Sequence, residues 1–208
     1  MAVVGPSGVG KTSLLACLCG SQTPSEGQVE YVIGDSGPCP PAELRKHFGI
    51  IFQSLQLTPN ANLMTNVLCG RLAQYSFLRT LFGFPRKLRA EAYGLLKELG
   101  VAADTTKWVS EMSGGEQQRV AMARALFQHP AIYFADEPVS SLDSYYAGRV
   151  LGLLRQEADE HHRAVLCVLH NAEHIKRFAD TALSLNPQDP SACRIRQVRP
   201  AKTEAIAQ

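Results

Sequence analysis

Three stretches of the 208-residue sequence carry residue types that do chemistry together. The first, Gly5-Pro6-Ser7-Gly8-Val9-Gly10-Lys11-Thr12, fits the phosphate-binding pattern G-x-x-x-x-G-K-[ST] throughout. Its glycines let the backbone turn so that successive N–H groups converge on phosphate oxygens. A helix beginning near Lys11 adds the positive end of its dipole. Lys11 supplies a point charge to the β- and γ-phosphates of a nucleoside triphosphate, and the Thr12 hydroxyl is a ligand for Mg²⁺. The second stretch, 131–137, is an apolar run closed by Asp136 and Glu137. Burying unpaired carboxylates is costly, and beside a phosphate loop Mg²⁺ gives the pair a reason. Asp136 then holds the ion, through water, while Glu137 orients and polarises an attacking water. The plainer alternative is that Asp136-Glu137-Pro138 only caps the next element.

The third stretch is Ser113-Gly114-Gly115-Glu116-Gln117-Gln118-Arg119. Ser-x-x-Glu is a capping box that opens a helix. That explains Ser113 and Glu116 but not two consecutive glycines in a first turn, which weaken a helix by about 1 kcal/mol each. Bare backbone at a helix N-terminus suits close approach to an anion. The stretch resembles the LSGGQ signature of ATP-binding-cassette (ABC) proteins, and the residues after it, through Leu126, match that family as well.

Further positions fall into the family's order. Gln53 resembles the Q-loop glutamine, implying contact with Mg²⁺ and the attacking water and a relay to a permease. Ser140-Ser141-Leu142-Asp143 resembles the D-loop, and His170 the switch histidine at the γ-phosphate. The resemblance spans essentially the whole chain. It implies Glu137, His170 and Gln53 as catalytic residues, and Gly5 to Thr12 with Ser113, Gly114, Gly115 and Glu116 as the ATP-binding set. Thr12, Gln53 and Asp136 would serve Mg²⁺. Also implied is a head-to-tail pair of cassettes, a homodimer or two paired subunits, with ATP between the phosphate loop of one and 113–115 of the other. A transmembrane permease subunit and, in an assembled importer, a solute-binding protein complete the expected partners. Within the family the likeness is to phosphonate-importer ATPases, through 65–72, 81–86 and 135–143.

Elements that position these groups follow from apolar patterning. Unalternating apolar runs at 1–4, 131–135 and 164–169, with 49–52 as a fourth, read as strands covered on both faces. Helical spacing appears at Leu88, Ala92, Leu95, Leu96 and Leu99, stopped by Gly100. It recurs from Val120 to Phe127, ended by Pro130, and at Val150, Leu151 and Leu154, begun after Asp143. Alternating strands and helices predict an α/β fold, a P-loop NTPase with a mainly parallel sheet flanked by helices. Residues 58–112 carry helical spacing without a buried strand and are too long for a plain connection. They are expected to be a helical subdomain inserted in a RecA-like ATPase core of 1–57 and 113–208. A weak strand is expected at 194–198 and fraying in the last residues.

Two departures from the family are mild: Met112 replaces a usual leucine and Glu116 a usual glutamine. The larger one is that family members carry a longer segment before the phosphate loop. The N-terminal antiparallel sheet and the adenine-stacking aromatic are therefore expected to be largely missing from this stretch. Weakened ATP binding and an uncovered apolar edge beside 2–4 would follow.

Composition agrees with an ordinary globular protein, at 45% hydrophobic and 19% charged residues. A net charge of +2 gives no electrostatic footprint for nucleic acid. Six cysteines form no Cys-x-x-Cys pair, and Cys17 and Cys167 sit in apolar runs where buried thiols are expected. A reducing compartment fits, and no apolar stretch is long enough to span a bilayer. The expected place is the cytoplasmic face of the inner membrane, held there by a partner. Two rival readings are an ABC ATPase of repair or translation and a truncated, non-catalytic nucleotide-binding module. Against the first, the interval between Gln53 and Ser113 holds no sustained heptads and only one cassette is present. Against the second stand Lys11, Glu137 and His170.

Overall fold

The computed structural model describes residues 1–32, 37–75, 83–101, 104–189 and 192–199. A six-stranded sheet forms the centre. Its strands are β1 (Ala2–Val4), β2 (Phe48–Ile51), β3 (Ile132–Asp136), β4 (Ala164–Val168), β5 (Thr181–Ser184) and β6 (Arg194–Gln197). They lie in the order β2-β3-β4-β1-β5-β6. All neighbours are parallel except β5 and β6.

The short apolar runs form strands because both faces of the sheet are covered. Ala2, Tyr133, Ala135, Cys167 and Ala182 project into one buried cluster, while Val3, Phe48, Phe134 and Val168 project into another. The second cluster is closed by Leu15 and Cys19 of helix α1 (Lys11–Leu18). Six further α-helices follow among the described residues. They are α2 (Pro41–Leu44), α3 (Leu63–Leu68), α4 (Arg86–Glu98), α5 (Gly114–Phe127), α6 (Ser144–His161) and α7 (Ala172–Phe178). On the first face, Leu63 and Val67 of α3, Leu88, Ala92 and Leu96 of α4, and Val120 and Met122 of α5 share one cluster with Ile51 and Tyr133. Helices α3 and α4 thus pack against each other and on α5.

Local signals act as the residue types dictate. Gly100 ends α4 in the left-handed region, at φ +70°, where a Cβ would collide with the Tyr146 ring. Helix α5 stops before Pro130 through His129, itself left-handed at φ 49°. Asp143 caps α6 by accepting from Tyr146 N.

Several expectations need correction. Strand β1 has no uncovered edge: it pairs with β4 on one side and β5 on the other, and Ala2 and Val3 are fully buried. The long-range partners that flank it come from the far end of the chain. Cys17 is only half-buried, and Cys19 takes the inward position, because helical rotation turns the latter toward Phe48 and Phe134. Strand β5 has no forecast in the apolar pattern. Leu81, Phe82 and the last residues lie outside the described residues. No helix among the described residues is long and apolar enough to cross a membrane.

Candidate functional site

Strands β3, β4 and β1 are consecutive in the sheet, and each ends on a group singled out in the sequence. Their C-terminal edge is where open parallel sheets place ligands. From β1 the chain enters the phosphate loop. Gly5 packs so closely that a Cβ there would lie 2.9 Å from Val9 Cγ1 and 3.2 Å from the Leu185 carbonyl. Gly10 is the N-cap of α1 at φ 98° and offers no side chain over the first turn, leaving its N–H groups bare. Lys11 is only 6% exposed, and its Nζ donates to the carbonyls of Gly5 at 3.0 Å and Pro6 at 2.8 Å. The ammonium is thereby held over the loop.

At the end of β3, Asp136 is buried and its Oδ1 has no hydrogen-bond partner. A buried, unsatisfied carboxylate oxygen calls for an ion or water. Thr12, Phe52 and Asp136 line one small cavity of about 40 Å³, room for such an occupant. Among the described residues no group of three or more His, Cys, Asp or Glu side chains converges. Mg²⁺ keeps waters and takes one or two carboxylates together with substrate phosphates, a need that the Asp136 carboxylate beside the Thr12 hydroxyl meets. The residues present therefore fit this ion.

Glu137 follows with its backbone left-handed at φ 51°, a conformation that costs a non-glycine residue about 1–3 kcal/mol. Three donors hold its carbonyl: Gln118 Nε2 at 3.0 Å, Ser140 Oγ at 3.2 Å and Ser140 N at 3.3 Å. The carboxylate meets His170, with Oε1 2.7 Å from Nε2. His170 stands just past β4 and is half exposed, so the dyad faces solvent. Beside it lies a cavity of about 300 Å³ lined by Glu137, Ser140, His170, Asn171 and His174 among others.

The capping box at α5 is complete. Ser113 Oγ accepts from Glu116 N at 3.3 Å, and Ser113 N donates to Glu116 Oε2 at 2.8 Å. The Ser113 N–H and, at 2.9 Å, its hydroxyl both donate to Glu116 Oε2 and, with a smaller contribution from the Lys107 ammonium, hold the Glu116 carboxyl below its ordinary value. Gly114 opens onto free space, whereas a Cβ on Gly115 would press to 3.2 Å from the Ser141 carbonyl. No hydrogen bond joins 113–116 to the phosphate loop among the described residues; the segment leans on 141–142 instead.

Gln53 is not brought into this cluster. It is exposed, two residues past β2, and its amide has no hydrogen-bond partner among the described residues. The loop that follows is fixed nonetheless. Leu55 and Gln56 are both left-handed, and Arg124 of α5 donates to their carbonyls at 2.7 Å each.

Gln118 and Arg124 lie in the stretch that resembles the family, but the sequence reading gave neither a role at the site. The signal available for Gln118 was a polar residue on the same helical face as Ala121, Met122 and Ala125. It is 4% exposed, and its Oε1 also accepts from Ser141 N at 3.0 Å.

A parallel sheet with a phosphate loop after one inner strand and a carboxylate pair after another defines a P-loop nucleoside triphosphatase. Residues 1–140 match the ABC transporter family, and the chain belongs to it. It is 42% identical over 186 residues to the phosphite import ATP-binding protein PxtA of Stutzerimonas stutzeri, covering 88% of this chain and 67% of that protein. It is 39% identical over 187 residues to the phosphonates import ATP-binding protein PhnC of Frankia casuarinae, covering 88% and 74%. The dimeric, post-hydrolysis structure of the ATP-binding cassette MJ0796, bound to ADP and Pi, superimposes with a TM-score of 0.81 at 27% identity. That match covers 95% of this chain and 84% of the other. The chain is thus an ATPase of the cassette type.

Proposed function

We propose that this chain hydrolyses ATP to drive a membrane importer for phosphonate, phosphite or a closely related phosphorus oxyanion. The observation that carries the chemistry is the Glu137–His170 pair, 2.7 Å apart on strands adjacent to the phosphate loop. The substrate class rests on the relatives, whose names specify phosphite and phosphonate import.

Backbone N–H groups of 5–12 and the Lys11 ammonium bind the β- and γ-phosphates. Asp136 and Thr12 would hold Mg²⁺, which would neutralise phosphate charge; Gln53, exposed in this structure, would join them only if its side chain turned toward that site. Water attacks the γ-phosphorus, the bond to the β–γ bridging oxygen breaks, and Glu137 takes the proton released by the water. His170 keeps the Glu137 carboxylate turned toward that water. The products are ADP and inorganic phosphate.

Two cassettes meet head to tail, so that 113–116 of one caps the triphosphate held by 5–12 of the other. The exposed backbone of Gly114 at the start of α5 suits this use, and the neighbouring cassette structure is dimeric. Residues 58–112 form the helical subdomain that faces the transmembrane permease, with 1–57 and 113–208 as the ATPase core. The subunit sits peripherally at the cytoplasmic face of the inner membrane, and a solute-binding protein delivers the oxyanion from the far side.

Reconstitution of the chain with its permease in vesicles tests the reading. ATP-dependent uptake of methylphosphonate or phosphite, competed poorly by sulfate, is expected. ATP hydrolysis without uptake of either oxyanion would reject the substrate class.

A further inference from the structure

We propose that Gln118 is a positioning residue for Glu137, and that through it the seating of helix α5 sets the alignment of the catalytic carboxylate. The inference rests on the reading of Glu137 as the base. It starts from a buried amide whose two polar atoms are both committed to the segment after β3. Nε2 donates to the Glu137 carbonyl at 3.0 Å and reaches Ser140 Oγ at 3.5 Å, while Oε1 accepts from Ser141 N at 3.0 Å. The carboxamide donates and accepts at once from one planar group. Asparagine, one methylene shorter, would not span the gap from α5.

The contact bears on chemistry because of where Glu137 sits in backbone space. At φ 51° it occupies a conformation that persists only when its surroundings over-determine it. Its carbonyl and its carboxylate leave the same Cα. A relaxation of the backbone toward an ordinary conformation swings the Cβ and breaks the 2.7 Å contact with His170 Nε2. Two of the three donors on that carbonyl belong to Ser140, on the same loop, and would move with it. Gln118 is the donor anchored elsewhere.

Its anchor is the helix whose first turn holds Gly114 and Gly115. Gly115 lies against the Ser141 carbonyl, and Gln118 holds the Ser141 N–H. Both ends of one peptide neighbourhood are therefore gripped by successive turns of α5. Nucleotide phosphates of a second cassette docking on 113–115 load α5, and Gln118 passes that load to the Glu137 backbone of the same chain. The base is aligned in one site when the helix is seated in the other.

The test uses the full chain with Mg²⁺-ATP. Gln118→Met keeps length and volume but removes donor and acceptor; Gln118→Glu keeps the acceptor for Ser141 N and removes the donor to Glu137. Each is expected to lower kcat by about 10- to 100-fold with KM for ATP changed by less than about twofold. Combined with Glu137→Gln, neither should slow the residual single-turnover rate by more than about twofold, since the residue it positions is already disabled. A kcat loss under about fivefold, or an equal loss in the Glu137→Gln background, would overturn the proposal. Should Gln118→Met fail to fold, Gln118→Glu carries the same comparison. Near-normal turnover in Glu137→Gln alone would instead reject Glu137 as the base, a separate failure.

Discussion

Glu137 Oε1 lies 2.7 Å from His170 Nε2, and the two side chains reach each other from the ends of neighbouring strands. The carboxylate is oriented by the imidazole, while its own backbone is kept left-handed by bonds to its carbonyl. Replacing Glu137 by glutamine retains shape and the phosphate contacts but removes the proton acceptor. Turnover should fall by about 10²–10⁴-fold with ATP still bound. Measuring ADP release alongside retention of labelled ATP on the protein checks both halves.

A bulky cation in place of Ser113 should block nucleotide-dependent dimerisation without abolishing binding to the single chain. Ser113 is the N-cap of α5, away from the phosphate loop of its own chain. Light scattering of Glu137→Gln with ATP should report a dimer, and the same protein carrying Ser113→Arg a monomer. An unchanged ATP-induced dimer would remove Ser113 from the facing site.

Arg124 donates to two consecutive left-handed residues, Leu55 and Gln56, from a site where burial draws its guanidinium below the ordinary arginine value. Arg124→Met should release the loop after Gln53, raising hydrogen exchange at 55–57 and costing about 0.5–1.5 kcal/mol in unfolding free energy through two lost hydrogen bonds. Exchange in that loop equal to that of the parent would show that other contacts fix it.

The capping box has an acid limb. Glu116 has its folded value lowered by bonds from Ser113, so its contribution is present above the ordinary value of 4.5 and is lost as pH falls through the lowered one. The side chain is 31% exposed and its bonds lie at the surface, so screening keeps the effect below about 1 kcal/mol. Thermal unfolding of the parent and Glu116→Ala should differ near neutrality and converge under acid conditions. A difference independent of pH would assign the cap to Ser113 alone.

Much of the site was readable in the chain because its parts are local. The phosphate loop, the capping box and the strand closing on Asp136 and Glu137 each lie within one short segment, and the structure keeps each as a unit. What stayed hidden depends on packing between segments. Gln118 looks like any glutamine in a helix until the turn after β3 folds against it. The left-handed backbone of Glu137 has no sequence signal, since glycine is the usual sign of that conformation. Strand β5, Thr-Ala-Leu-Ser, is too short and mixed to announce itself, and becomes a strand by pairing with β1 and β6.

The position of β1 has a consequence for biosynthesis. Ala2 pairs with Cys167 and Ala182, so β1 is clasped by two strands synthesised long after it. Pairings of such sequence separation are slow to form, because loop closure must precede any gain from the contact. A ribosome must deliver most of the chain before the phosphate loop acquires a rigid base. The nucleotide-gripping segment, synthesised well before β4 and β5, is among the latest to reach its working shape. Until then its apolar strand is a natural client for chaperones that shield nascent chains.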